Sequence, residues 1–141
     1  MDFKVYGMFW RLLGIDQFQI NGIGAKYWEP DPSFVTSFAD CRTPIFSEAD
    51  CPLPVVCSGQ WGGQAPATWQ RTGQTTELLY LCGGGVVSHP SGPAAGVRAV
   101  RQSWDAAEAG IPLATYARDH PELAQSLAKF GSPEQQAGND F

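Results

Sequence analysis

The chain has 141 residues, enough for one ordinary domain, and its content of 43% hydrophobic and 12% aromatic residues argues against disorder. A net charge of −5 without a basic run excludes nucleic-acid binding by phosphate neutralisation. No window approaches the roughly 18 apolar residues of a membrane span. The start of the chain lacks a basic segment followed by a long apolar stretch, so the expected compartment is the cytoplasm.

Residues 3–13 read as the end of a helix, with Tyr6, Phe9, Trp10 and Leu13 on one apolar face and Gly14 as C-cap. Residues 17–23 alternate as a strand: Phe18, Ile20 and Ile23 are apolar, Gln19 and Asn21 polar. Polar side chains at the C-terminal end of a barrel strand can point into an active site. A loop follows, and Asp31 is expected to cap a helix that carries Pro32 in its first position and runs to about Cys41. A connector with Pro44 and Pro52 leads to a strand over 54–58, a glycine-rich loop and a short helix over 65–71. A strand over 78–82 runs into Gly83-Gly84-Gly85. A long helix over about 93–109 has Val97, Val100, Trp104 and Ala107 as its apolar stripe, and Gly110 before Pro112 ends it. A last helix over about 113–129 is interrupted at His120-Pro121, and the polar tail from Gly131 is expected to fray.

Strands alternating with helices imply a parallel sheet with right-handed crossovers. Three strands make a poor α/β domain, and these are apolar enough to want neighbours on both sides. The chain therefore reads as part of a larger protein, or as a piece that assembles with the rest of one. The cysteines at 41, 51, 57 and 82 form no CxxC pair, and no histidine has zinc-like spacing, so no metal site is expected from them. Cys57 and Cys82 are expected to be buried thiols; a Cys41–Cys51 bridge is conceivable, although reduced thiols suit the expected compartment.

The most informative stretch is Leu78-Leu79-Tyr80-Leu81-Cys82-Gly83-Gly84-Gly85, an apolar strand ending in glycines before a helix. Glycines let backbone N–H groups approach an anion, and a following helix adds the positive end of its dipole. Pro54-Val55-Val56-Cys57 followed by Ser58-Gly59-Gln60-Trp61-Gly62-Gly63 repeats the logic. Two such units in succession point to a phosphate site shared by adjacent loops, as after the seventh and eighth strands of a β/α barrel. A tight turn that merely permits helix–strand packing is the plainer reading of the triple glycine.

Three segments resemble the RuBisCO large-chain superfamily, closest to the RuBisCO-like (form IV) branch that does not fix carbon dioxide. Asn21-Gly22-Ile23-Gly24-Ala25-Lys26-Tyr27-Trp28-Glu29-Pro30-Asp31 is similar to the sixth strand and its mobile loop. Ser58-Gly59-Gln60-Trp61-Gly62-Gly63-Gln64-Ala65-Pro66 resembles the turn after strand seven. Gly83-Gly84-Gly85 through His89-Pro90 and Gly92-Pro93-Ala94-Ala95-Gly96 resembles strand eight and its helix. The resemblance implies the C-terminal portion, about strands 6–8 with their helices and a terminal helix, of a (β/α)8 TIM barrel, spanning 1–131 with 132–141 as a polar tail.

It further implies a phosphorylated sugar or sugar acid as substrate, held as a magnesium-bound enediolate, in a protein working as a dimer or larger assembly. Lys26 falls at the loop lysine that closes over the substrate and meets developing negative charge, a task suited to an ammonium. Ser58 falls at a substrate hydroxyl-binding position, with Gly59 in the same turn. Gln60, Gly83 and Gly84 fall where backbone amides bind a phosphate. Plainer readings stand beside these: a solvated loop lysine for Lys26, a turn hydrogen bond for Ser58, helix entry for His89, a surface position for His120, and packing under loops for Trp28 and Trp61.

Departures bear on the reaction. Gln19 stands where carboxylating enzymes carry a phosphate-contacting histidine, Gln60 replaces a glycine, and the adjacent Trp61 would crowd the pocket. These changes disfavour carboxylation of ribulose bisphosphate and favour decarboxylation or carbon–carbon cleavage of a 3-oxo sugar acid. The magnesium ligands implied by the resemblance, a carbamylated lysine followed by Asp and Glu, belong to an earlier strand outside this sequence. So does the usual base lysine. The chain alone is thus expected to be inactive. The alternatives are a non-catalytic anion-binding or assembly fragment, part of a genuine ribulose-bisphosphate carboxylase, or a free-standing phosphate-binding α/β domain.

Overall fold

A computed structural model describes residues 3–26 and 30–131. Three parallel strands, β1 (Gln17–Asn21), β2 (Leu53–Cys57) and β3 (Leu79–Tyr80), lie side by side in sequence order. Gln17 pairs with Leu53 and Asn21 with Cys57; Val55 pairs with Leu79. The helices are α1 (Phe3–Leu12), α2 (Asp31–Cys41), α3 (Ala65–Arg71), α4 (Gly83–Val87), α5 (Pro93–Glu108), α6 (Leu113–Tyr116) and α7 (Pro121–Phe130). The expected alternation of strand and helix is therefore present, and all three strands end at one edge of the sheet.

One core lies between the sheet and α2. Phe18 and Ile20 of β1 and Val56 of β2 meet Phe34, Phe38 and Cys41, with Ile23 from the loop after β1. Burial of side chains this large contributes about 1.5–3 kcal/mol each. A second core joins Ala106 of α5 to Leu113, Ala117 and Leu123 around α6 and α7.

The α1 face differs from expectation. Phe9 and Leu13 are 64% and 75% exposed, and Tyr6 and Trp10 are exposed too. The inward residues are Gly7, lying on the Phe18 ring, and Arg11. Arg11 donates from Nε to the Asp50 carbonyl (2.9 Å) and from its terminal nitrogens to the carbonyls of Asp40 and Thr43, and it pairs with the Asp50 carboxylate at 3.3 Å. The same carboxylate accepts the amides of Ile45, Phe46 and Ser47. These amides, opposed by partial burial and assisted by Arg11, hold the Asp50 carboxyl down at about 2. This buried network fixes the connector from α2 to β2.

Other boundaries shift. β1 stops at Asn21, two residues early, although the Gly22 amide still bonds the Cys57 carbonyl across to β2. β2 begins one residue early, at Leu53. β3 has only two residues, since Gly83 already opens α4. Asp31 is the first helical residue of α2 and not its cap; Pro30 holds that position without a side-chain bond. The Asp31 carboxylate instead pairs with Arg71 and accepts the Gly24 amide. On α5 the buried face is Ala95, Gly96, Ala99, Ser103, Ala106 and Ala107, while Val97 is 58% exposed. Small residues win because other backbones press on this face: a Cβ at Gly96 would lie 2.3 Å from the Val86 carbonyl oxygen.

All four cysteines are free, so the conceivable Cys41–Cys51 bridge is absent. Cys57 and Cys82 are buried as expected. The last helix breaks into α6 and α7 around His120-Pro121, also as expected. His120 is half-buried; its ring stacks on Tyr116 at 3.9 Å, and Nδ1 meets the Tyr116 carbonyl. Trp28 and the expected polar tail at 132–141 lie outside the described residues. Among the described residues no helix is long and apolar enough to cross a membrane.

Candidate functional site at the C-terminal edge of the sheet

The loops leaving β1 and β2 are stitched together. The Gly22 amide bonds the Cys57 carbonyl (3.0 Å), and the Lys26 amide bonds the Ser58 carbonyl (2.9 Å). The Lys26 stem lies over Gly59, whose added Cβ would meet Lys26 Cβ at 3.2 Å. Ser58 has φ +72° and Gly59 φ +83°. Left-handed backbone suits Gly59 but costs a non-glycine residue roughly 1–2 kcal/mol. Ser58 is held there by side-chain bonds: its hydroxyl donates to Asn21 Oδ1 at 2.6 Å and lies 3.4 Å from Cys57 Sγ. The structure thus brings Lys26, Ser58 and Gly59 into one cluster and adds Asn21, to which no specific role was assigned from sequence. The signal was its place as the last residue of β1.

The three consecutive glycines do different things. Gly83 and Gly84 open α4 and face empty space; an added Cβ would meet nothing within 4 Å. First-turn amides of a helix have no intrahelical acceptor. Gly85 is the packing glycine: its Cβ would stand 2.6 Å from Trp61 Cβ and 2.9 Å from the Gln60 carbonyl oxygen. That close approach abuts the turn after β3 against the turn after β2. Gly85 thus fits the packing reading, while Gly83 and Gly84 have open space beside them.

Gln60 is 1% exposed and its side chain goes inward. Its Nε2 donates to the Ile23 carbonyl (3.2 Å), and its Oε1 accepts the Tyr80 hydroxyl at 3.3 Å. Gly22 makes room for it, since a Cβ there would lie 2.3 Å from Gln60 Cδ. Trp61 is also buried, with its ring 5.2 Å from that of Phe130, so it packs as core and does not crowd a pocket at the loop mouth. Gln19 sits exposed on β1, opposite Val55. His89 is buried and structural: Nε2 meets the Glu122 carbonyl, and Nδ1 accepts the Ser91 amide.

Among the described residues no three His, Cys, Asp or Glu side chains come together to hold a metal ion. Asp31, the acid at the start of α2, is committed to Arg71 and the Gly24 amide. These residues do not fit a magnesium site. What they can do is hold an anion with backbone amides, offer a hydroxyl, and bring one ammonium on a loop tethered at the Ser58 turn.

Comparison with known proteins identifies the family of the chain. The family "Ribulose bisphosphate carboxylase large chain, catalytic domain" matches residues 1–130. The chain is 75% identical over 130 residues to 3-oxo-isoapionate-4-phosphate decarboxylase of Rhizobium rhizogenes, covering 92% of this chain and 31% of that protein. Among solved structures, a rubisco-like protein from Burkholderia fungorum superposes with a TM-score of 0.83 at 44% identity, covering 89% of this chain and 31% of that one. An octameric ribulose-1,5-bisphosphate carboxylase/oxygenase from Pyrococcus horikoshii gives 0.79 at 29% identity, covering 92% and 30%. The chain therefore spans about a third of the length of the relatives it matches. Its parallel sheet and flanking helices are consistent with the C-terminal portion of a barrel. With the family match running from the first residue to the end of α7, the chain belongs to the catalytic-domain family of the ribulose bisphosphate carboxylase large chain and stands among its RuBisCO-like members.

Proposed function

We propose that this chain, within a full-length RuBisCO-like enzyme, grips the phosphate and supplies the loop lysine for decarboxylation of a phosphorylated 3-oxo sugar acid. The observation that carries this reading is the Lys26 amide bonded to the Ser58 carbonyl beside the turn that Gly85 packs against. The 75% identity to a decarboxylase of 3-oxo-isoapionate 4-phosphate supports the substrate class. Residues 1–131 are read as one piece of the barrel domain and 132–141 as a polar tail. The full-length protein is read as a cytoplasmic dimer or larger assembly.

In a 3-oxo acid the bond between the carboxylate and its neighbouring carbon breaks, and carbon dioxide leaves. The bond's electron pair stays on that neighbouring carbon and delocalises into the ketone as an enolate, which then takes up one proton. Lys26 opposes the charge that grows on the enolate oxygen, an interaction stronger in the transition state than in the ground state. The amides of Gln60, Gly83 and Gly84 hold the remote phosphate and the Ser58–Gly59 turn meets a substrate hydroxyl, so that binding energy there orients the reacting end. Magnesium, implied by the family resemblance, would be held by other parts of the full-length protein, because the residues described here do not fit it.

The test is carbon dioxide release from a phosphorylated 3-oxo sugar acid by the full-length gene product. Turnover that Lys26→Ala abolishes is expected. Full activity after Lys26→Ala combined with Gly84→Asp would overturn the site. Phosphate binding without turnover would instead favour a non-catalytic anion-binding role, and fixation of carbon dioxide on ribulose bisphosphate would favour a genuine carboxylase.

A further inference from the structure

The geometry points to Asn21 as a positioning residue. It accepts the hydrogen bond of the Ser58 hydroxyl and thereby fixes both the polarity of that hydroxyl toward substrate and the turn that tethers the Lys26 loop. This inference rests on the function proposed above for the site and adds to it a residue that acts through Ser58.

Three observations carry it. First, Ser58 Oγ donates to Asn21 Oδ1 at 2.6 Å, a short bond between two half-buried side chains. A serine hydroxyl has one proton and two acceptor lone pairs. With the proton committed to Asn21, Ser58 meets a ligand as an acceptor. The neighbouring thiol leaves that capacity available, because Cys57 Sγ donates to the Ile20 carbonyl at 3.2 Å. The matching substrate group is an O–H donor, a free hydroxyl on the sugar acid, and not a carbonyl oxygen.

Second, Ser58 is left-handed without being glycine. Such a conformation persists only where its surroundings over-determine it. The bond to Asn21 is a side-chain contact of Ser58 itself that spans from the end of β1 to this turn. Third, the carbonyl of this same residue accepts the Lys26 amide at 2.9 Å. The hydroxyl contact and the loop anchor therefore belong to one residue, and Asn21 controls both. Asn21 need not touch the substrate to do this.

The experiment uses the full-length protein with Asn21→Ala, Asn21→Asp, Ser58→Gly and the Asn21→Ala/Ser58→Gly double variant. Ser58→Gly keeps the left-handed turn at no steric cost and removes the hydroxyl. Two readouts are taken. One is kcat and KM for the phosphorylated 3-oxo sugar acid and for its deoxy analogue lacking one sugar hydroxyl. The other is the rate of tryptic cleavage after Lys26 under native conditions, which needs no activity.

Asn21→Ala is expected to lower kcat by roughly tenfold, the scale of one neutral hydrogen bond in a site, and to shrink the preference for the hydroxylated substrate. It is also expected to speed cleavage after Lys26 several-fold, whereas Asn21→Asp, which keeps the acceptor oxygen, cleaves at the parent rate. In the Ser58→Gly background Asn21→Ala should add nothing. Equal losses in both backgrounds, or cleavage and preference unchanged in Asn21→Ala, would overturn the positioning role. If the parent protein releases no carbon dioxide, the proposed function fails, and the cleavage rates still decide whether Asn21 anchors the turn.

Discussion

Replacing Gly84 and Gly85 one at a time separates a glycine of the proposed phosphate grip from the packing glycine. At Gly84 a Cβ meets nothing within 4 Å and φ is not left-handed, so alanine fits. Helical propensity favours alanine there by up to about 1 kcal/mol. At Gly85 the same methyl would stand 2.6 Å from Trp61 Cβ, 2.8 Å from Trp61 Cα and 2.9 Å from the Gln60 carbonyl oxygen. Two of those three atoms are backbone, so relief requires the turns after β2 and β3 to separate. Overpacking of this kind costs about 1–3 kcal/mol. Urea unfolding of the full-length protein should therefore show Gly84→Ala neutral or slightly stabilising and Gly85→Ala lower by at least about 1 kcal/mol. Gly84→Asp should fold as well as Gly84→Ala and yet lose affinity for phosphorylated ligands. Two unit charges about 4 Å apart at an effective dielectric near 20 repel by about 4 kcal/mol, on the order of a thousandfold in Kd. Equal stability of the two alanine variants would refute the packing role of Gly85. Undiminished affinity in Gly84→Asp would refute the phosphate position.

Arg11→Met should destabilise the fold by about 3–5 kcal/mol in chemical denaturation, because it removes the ion-pair partner of the buried Asp50 carboxylate and the donors to the carbonyls of Asp40, Thr43 and Asp50. Acid should weaken the protein in one window. Asp50 is held at about 2 by the Ile45, Phe46 and Ser47 amides and Arg11, and Glu122 at about 2 by Gln102 and Arg98. Depressed carboxyl values mean stability that is complete above the ordinary values of 3.8 and 4.5 and is lost as pH falls toward 2, so unfolding followed from pH 5 to 2 should steepen below about 4. Burial pushes the Cys41 thiol up to about 11 and Cys82 up to about 12, so half-buried Cys51 should react first with a thiol reagent at pH 8 and those two last. The isolated 141-residue chain should self-associate, read by light scattering against concentration, since Phe9, Leu13 and Val97 leave apolar surface uncovered; a sharp cooperative melt of a monomer would contradict this.

Much of the fold was legible because strands and helices here alternate with clear punctuation. The helix over 65–71 and the break at His120-Pro121 came directly from turn and proline chemistry. Helix faces were the weak point. Periodicity finds an apolar stripe but does not say whether this chain covers it. On α1 the stripe of Phe9, Trp10 and Leu13 stays exposed while Gly7 and Arg11 turn inward. A buried arginine opposes the usual rule, and only the distant Asp40, Thr43 and Asp50 acceptors explain it. On α5 the small residues lie inside because the Val86 carbonyl and the Gly62 turn approach too closely for anything larger.

The site divides in the same way, into what backbone can announce and what only geometry can. Glycine runs announce close approach, but not of what: two of the three at 83–85 open onto space and the third onto another backbone. Gln60 sits in an announced turn, yet its side chain serves the interior between Ile23 and Tyr80. A phosphate grip built from amides reads charge and shape and is indifferent to the rest of the ligand. Discrimination among phosphorylated acids then falls to the few side chains at this edge. Of those, Ser58 donates its hydroxyl hydrogen bond to Asn21 and keeps its lone pairs to accept, and the loop that carries Lys26 is anchored at that same residue. On the function proposed above, the polar residue that ends β1 is thus the point at which a general anion grip becomes selective for a particular sugar acid.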